Sequence, residues 1–263
     1  MKLPIWQVDA FTSRLFAGNP AAVVLLDEWL PDETLKSIAA ENNLAETAFV
    51  IASGDVMPLR WFTPTVEVDL CGHATLASAH VLFKYRFASA DRLTFSTRSG
   101  NLAVTREGDL LSLDFPARPG TPAAVSSELI ETLGSRPSEA LRGRDVLAVL
   151  DSETQVREFE PDIQRIAAFD THALMVTARG DDVDYVYRFF APKQGIPEDA
   201  VTGSANCMLV PYWAERLGKK VLEARQLSAR GGELRCTLVG DRVLIAGRAV
   251  EYLRGEIEVI PSP

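Results

Sequence analysis

Long apolar runs are missing from this chain. No stretch approaches the roughly 18 residues a membrane helix needs, so a spanning segment is not expected. Clustered cations are missing too: Lys and Arg number 27 against 36 Asp and Glu, for a net charge of −9. Without basic blocks, a phosphate backbone finds no matching surface, and nucleic acid is not an expected partner. Cysteine is scarce. Cys71, Cys207 and Cys236 are odd in number and irregular in spacing, which argues against a disulfide framework and for a reducing, cytoplasmic home. Met1 to Phe11 lacks the basic, apolar and small-residue order of a signal peptide and reads as a strand of the mature fold. No G-x-G-x-x-G or Walker A segment occurs, nor a Lys in a Schiff-base context, so no cofactor is expected. The G-x-S-x-G elbow of many hydrolases is also absent. No pairing of His73, His80 and His172 has metal-ligand spacing, and no metal is expected.

What is present is apolar and β-branched. Hydrophobic residues make up 47% of 263, enough for one large domain or two ordinary ones. Strands are predicted at Ile5 to Val8, Ala21 to Leu26, Thr47 to Ile51, Leu59 to Phe62, Leu93 to Ser96 and Leu110 to Phe115. More strands follow from Leu222, with hairpin spacing around Gly231-Gly232 and Gly240-Asp241. Helices are predicted from Pro31 to about Asn42, Gly72 to Tyr85, Ser127 to Leu133, Ile163 to Ala168 and Gly203 to Leu209, with Pro211 ending or kinking the last. A linker at Ala117 to Pro122 divides the chain into lobes 1–120 and 121–263, with the last few residues returning to the first.

That midpoint division invites a search for repetition, and one is found. Arg60, Phe62 and Pro64 recur as Arg188, Phe190 and Pro192. A loop of variable length then reaches an acid (Asp69, Asp199), a glycine (Gly72, Gly203) and small residues opening a helix. Each copy therefore reads strand, tight loop, helix N-terminus, which presents free amides at the positive end of a helix dipole. Two such turns facing each other could grip one carboxylate and stabilise charge developing beside it.

Four segments resemble a known family: Asn19-Pro20-Ala21-Ala22-Val23-Val24, Asn43 to Phe49, Phe62-Thr63-Pro64 through Leu70-Cys71-Gly72-His73-Ala74-Thr75, and Gly195 to Ala205. In order, and across nearly the whole chain, they are similar to the PhzF-like (phenazine-biosynthesis-like) family of the diaminopimelate-epimerase fold. The resemblance implies an α+β protein of two pseudo-symmetric lobes, each a β-barrel-like sheet around a central helix, with the active site between them. It also implies a homodimeric, cofactor-independent isomerase acting on a small carboxylate-bearing substrate.

Glu46 lies among apolar neighbours in what reads as a loop entering a buried strand. It is either a surface residue or a desolvated base able to take a proton and hand it on. The resemblance favours the second reading, because the family's proton-shuttling Glu occupies this motif. His73 opens a predicted helix, where the dipole favours a neutral imidazole, and the motif implies contact with the reacting molecule. Asp199 could simply cap the following helix; the resemblance instead turns it toward the site, to hold the substrate or assist the relay. Ser204 matches a substrate-binding position. Cys71, Gly72, Ala74, Thr202, Gly203 and Ala205 complete the expected substrate-binding set.

Cys71 keeps a rival mechanism in view, the two-thiol epimerase with one Cys from each half. Thr202 stands at the second position, and Cys207 lies five residues further on, down the helix. The thiol route is therefore disfavoured. Cys71 at a helix start is either a thiolate of depressed pKa or a small residue in a tight loop. The expected function is proton relocation by Glu46. The alternatives are epimerisation or racemisation with Cys71 or Asp199 as second group, and a family member that binds without catalysis.

Overall fold

The structure, a computed structural model, describes residues 1–259. Contacts divide the chain into two units, the first made of Met1–Asp114 and the segment from Ala246 on, the second of Phe115–Ile245. The sequence places the boundary at 120/121, with the last few residues returning to the first lobe. The last strand, Ala249–Glu258, belongs with the first unit because it pairs antiparallel with the opening strand from Lys2↔Glu258 to Ala10↔Ala249. Among the described residues the fold is strand-rich and mixed, with six α-helices.

In the first unit the elements are β1 (Lys2–Ala10), β2 (Asn19–Leu26), α1 (Asp32–Asn42), β3 (Glu46–Ile51), β4 (Val56–Phe62), β5 (Glu67–Val68), α2 (Gly72–Tyr85), β6 (Arg92–Thr97), β7 (Gly100–Glu107) and β8 (Leu110–Pro116). β2 and β3 are buried on both faces, which is why they read as unbroken apolar runs rather than alternations. Ala22, Val24 and Leu26 share a core with Leu35, Ile38 and Ala39 of α1, and Phe49 of β3 joins them. By the period of two, Ala21, Val23 and Leu25 turn to the opposite face, where α2 packs against β1, β2 and β3. Helix α2 buries residues on nearly every side, including Ala74, Leu76, Ala77, Val81 and Leu82, as a helix enclosed by sheet must.

In the second unit they are β9 (Thr121–Ala123), α3 (Ser127–Leu133), β10 (Glu139–Arg142), β11 (Val146–Val149), α4 (Glu153–Glu158), α5 (Ile163–Ala168), β12 (Leu174–Arg179), β13 (Tyr185–Phe190), α6 (Asn206–Leu217), β14 (Val221–Gln226) and β15 (Gly232–Val239). Its strand ladder repeats that of the first. The pairs β1/β2, β2/β3, β3/β4, β4/β6 and β6/β7 run antiparallel, parallel, antiparallel, parallel, antiparallel. The pairs β10/β11, β11/β12, β12/β13, β13/β14 and β14/β15 run the same way in the same order. The repeated R-x-F-x-P segment ends β4 in one unit and β13 in the other, and a long helix follows each time.

Three expectations change. The linker is partly strand, since Thr121–Ala123 pairs with β10. The short helix α4 went unpredicted; Ser152 caps it by accepting from the Gln155 amide. Pro211 does not end its helix, which runs from Asn206 to Leu217 after a 3-10 turn at Gly203–Ala205. Proline cannot bond the carbonyl four residues back. That carbonyl, on Cys207, instead accepts the Arg118 amide at 2.7 Å, so the helix continues without an orphaned group.

Leu76 is fully buried in α2. Replacing it with Ala should destabilise the protein by about 2–5 kcal/mol in urea unfolding, the usual cost of a core cavity. A loss under about 1 kcal/mol would contradict the placement of α2 inside the first unit.

Candidate active site

Local sequence places Glu46. Helix α1 stops at Asn43, which takes up the left-handed conformation at φ 48° that Asn tolerates better than most residues. The short turn through Leu44 and Ala45 then delivers Glu46 as the first residue of β3, beside Ala21 of β2. Thr47 faces α1, accepting a hydrogen bond from Asn42 Nδ2 at 3.0 Å. Alternation therefore sends Glu46 to the α2 face. It is 9% exposed, a buried carboxyl group rather than a surface one.

On that face α2 begins. Cys71 is its N-cap, extended at φ −143°, ψ 108°, and no side chain caps the helix. The leading amides at Gly72 and His73 have no partner within the helix, while the Ala74 amide is directed at the Cys71 sulfur. The Thr75 hydroxyl and amide both donate to the Cys71 carbonyl, at 2.5 and 3.2 Å, which holds the turn. His73 is buried at 7% exposure. Its Nε2 lies 3.1 Å from Glu46 Oε2, and its Nδ1 lies 3.5 Å from Cys71 Sγ. The Glu46 contact is oblique, so neither Oε2 nor Nε2 completes a hydrogen bond there. Two buried polar atoms with unused bonding capacity side by side are costly in a core and useful in a site.

Burial opposes charge on His73, but the Cys71 sulfur and the Glu46 carboxylate outweigh it and hold the imidazole well above its ordinary pKa. Burial also pushes the Cys71 thiol up. The raised His73 pKa corrects the expectation of a neutral imidazole. A helix N-terminus disfavours an imidazolium by at most about 2 kcal/mol. A carboxylate at 3.1 Å attracts it by about 5 kcal/mol at an effective dielectric of ~20. Of the two readings of Cys71, the same burial favours the small residue in a tight loop over the low-pKa thiolate. His80, further along α2, has its pKa lowered by burial and takes no part in this cluster.

Donor atoms of Glu46, Cys71 and His73 all lie within 4.8 Å of one another, close enough to suggest a shared ion. The imidazole argues otherwise. It stands between the other two with a different nitrogen toward each, whereas a common ion needs one nitrogen facing both. The arrangement suits proton relay better than metal binding.

The second unit builds a related turn with different side chains. Thr202 occupies the place of Cys71, and its amide donates to Gln226 Oε1 at 2.7 Å. Gln226, fully buried, also donates from Nε2 to the Asp199 carbonyl at 2.6 Å. The Thr202 hydroxyl donates to Asp199 Oδ2 at 2.5 Å. Asp199 therefore bonds within its own turn. Asn206 donates to the Gly203 carbonyl at 3.1 Å and to the Tyr187 hydroxyl at 3.0 Å. Ser204 is exposed, whereas Gly203 and Ala205 are buried.

Structure revises the alignment of the repeats. Arg60 clasps Glu67 through two hydrogen bonds of 2.7 Å, and Arg188 clasps Glu198 through two of 2.7 and 2.9 Å. Each guanidinium also lies 5.1 Å from the ring of the phenylalanine two residues on, Phe62 or Phe190. The shared acids are Glu67 and Glu198, each five residues before its glycine, not Asp69 and Asp199. Asp69 is exposed at 76% of its side chain. Cys71 thus matches Thr202, and His73 matches Ser204. Register extends the match: Phe49 pairs with Arg60 and Val176 with Arg188, so Glu46 corresponds to Ala173. The carboxyl group is not duplicated.

With this geometry in hand, comparison with known proteins is direct. The phenazine biosynthesis-like protein family matches residues 8–255, and the chain belongs to that family. An "uncharacterized isomerase" of Pseudomonas aeruginosa is 52% identical over 260 residues, covering 98% of this chain and 100% of that protein. A protein of the same description from Halalkalibacterium halodurans is 45% identical, over 98% of this chain and 99% of the relative. The crystal structure of a phenazine biosynthesis protein of the PhzF family from Enterococcus faecalis superposes with a TM-score of 0.97 at 45% identity, covering 98% of this chain and 100% of that one. A hydroxyproline epimerase from Agrobacterium vitis, at 11% identity and a TM-score of 0.60 over 100% of this chain and 94% of that one, shares the fold.

Two outcomes follow from the electrostatics. Because the folded-state pKa of His73 is raised, the stabilisation from its protonated form is complete below the unfolded value of about 6.5 and fades as pH rises through the folded value. The stability gap between the parent protein and His73→Gln, measured by urea unfolding, should be largest near pH 6 and shrink on the alkaline side. A gap independent of pH would contradict the assignment. Separately, Glu198→Ala strands a guanidinium whose side chain is 10% exposed, and should cost about 3 kcal/mol. Removing the exposed Glu33 partner of Lys36 should cost under about 1 kcal/mol. Equal losses would mean that the clasp is an ordinary surface pair.

Proposed function

We propose that this protein is a cofactor-independent isomerase in which Glu46 moves a proton between two carbons of a small carboxylate-bearing substrate. The observation that carries this reading is the buried Glu46 Oε2 with unused hydrogen-bonding capacity, 3.1 Å from His73 at the start of α2. Glu46 takes a proton from a carbon next to the carboxylate or an alkene. The electron pair left behind shifts along the conjugated system, and protonated Glu46 returns the proton to a second carbon on the same face. One proton leaves and one returns with no change of oxidation state, so the step calls for no cofactor. The amides at Gly72 and His73 receive the substrate carboxylate, with Ala74 lining the same turn, a role helix N-termini fill readily. The His73 ring, 3.1 Å away, steadies the charge of Glu46 between transfers.

A single base is supported by the repeat itself, since Ala173 stands where the second copy would carry its carboxyl group. For Asp199, Thr202, Gly203, Ser204 and Ala205 the proposal is substrate binding, with Asp199 also assisting the proton relay; it rests on the family resemblance. A homodimer is proposed on the same basis. The three cysteines are free and buried, which supports a reducing, cytoplasmic setting.

The alternative is an epimerase or racemase that needs a second group on the opposite face. The fold is shared with a hydroxyproline epimerase, which favours keeping that reading. Against its thiol form stand a second half that carries Thr202 at the matching position and the commitment of that hydroxyl to Asp199.

The test is enzyme-dependent deuterium uptake from D2O into a panel of small unsaturated and cyclic carboxylic acids, read by NMR. Any compound labelled by the parent protein should be labelled about 10²–10⁴-fold more slowly by Glu46→Gln while still binding to it. Undiminished labelling by Glu46→Gln would rule out the carboxyl role. Loss of labelling in Cys71→Ala with inversion of configuration in the parent would favour the epimerase.

A further inference from the structure

Cys71 is left unused by the reading above, yet it is seated against the group that matters most. Its sulfur is buried, at 6% exposure for the residue, and 3.5 Å from Nδ1 of His73. The other ring nitrogen, Nε2, is 3.1 Å from Glu46 Oε2. The backbone that carries the thiol is pinned, because Thr75 donates twice to the Cys71 carbonyl. A neutral imidazole has one N–H and one lone pair, and its neighbours decide which nitrogen carries the hydrogen. A carboxylate offers acceptors alone, whereas a thiol can donate. A ring held between the two is therefore matched one way round: S–H to the Nδ1 lone pair, and Nε2–H toward Glu46. When the ring is cationic, Nδ1–H turns to the sulfur and Nε2–H still faces the carboxylate. Turning the ring over would present a carbon to one of its partners.

We infer that Cys71 is a positioning residue whose thiol, hydrogen-bonded to Nδ1, holds His73 with Nε2–H toward Glu46 in each protonation state of the ring. The second copy of the repeat agrees with this pairing of roles. Where His73 is replaced by Ser204 there is no ring to orient, and Thr202, in the place of Cys71, gives its hydroxyl to Asp199. The inference gives its purpose to the reading of Glu46 as proton carrier, but its test reads the ring with no substrate present. Failure of one is thus separable from failure of the other.

The experiment is two-bond 1H–15N correlation spectroscopy on protein labelled at histidine, at a pH alkaline enough to neutralise the ring. His80→Gln and His172→Gln identify the remaining signals as those of His73. The parent protein should show a single Nε2–H tautomer for His73. Cys71→Ala should show a several-fold rise in the Nδ1–H tautomer or exchange between the two, and Cys71→Ser, which keeps a donor, should restore the parent pattern. The inference is overturned if the parent carries the proton on Nδ1, or if Cys71→Ala leaves tautomer and line shape unchanged. Should Cys71→Ala fail to fold, the parent spectrum and that of Cys71→Ser decide the question.

Discussion

The contact between Glu46 and His73 is the constraint around which the first unit is arranged. Two ionisable side chains are removed from water and set 3.1 Å apart, where the carboxyl group bears on the charge of the imidazole. Burial alone would drive the imidazole toward neutrality. Proximity reverses that for the imidazole, whose pKa rises. Such a pair is a costly way to stabilise a fold, and the charge of its imidazole rests on a balance between burial and proximity. The elements around it fix that balance: the turn after α1 aims Glu46, β3 buries it, and the uncapped start of α2 supplies both the histidine and free amides.

Duplication explains the scaffold, and departure from duplication explains the site. Both units use the same succession of parallel and antiparallel pairs, and both tie the loop before their long helix to a strand by an arginine–glutamate clasp. On that common frame the first unit carries Glu46, Cys71 and His73 where the second carries Ala173, Thr202 and Ser204. The first set can transfer protons. The second is small and hydroxylic, and two of its members are engaged in hydrogen bonds that shape the turn or open to solvent. A repeated frame with unrepeated chemistry fits the one-base reaction proposed for Glu46.

Much of this was legible in the residues alone. The β-branched runs and the acids at the start of α1 marked strands and helix, because local propensity and burial agree there. The repeat was visible through Arg60 and Arg188. Its acids were misaligned because the loop after the proline differs in length by three residues, and Asp69 and Asp199 were nearer at hand than Glu67 and Glu198. A count back from each glycine would have found them. Other features had no signal in the sequence. The union of Glu46 with His73 depends on strand parity and helix placement, and Gln226 reaches Thr202 across 24 residues. The continuation of α6 past Pro211 depends on one distant amide, that of Arg118.

A crystal structure of the protein with a small bound carboxylic acid bears most directly on the central claim. The account predicts the ligand's carboxylate at the Gly72 and His73 amides, with a carbon next to it within hydrogen-bond reach of a Glu46 oxygen. A ligand bound away from α2, or one present while Glu46 points into bulk water, would contradict it.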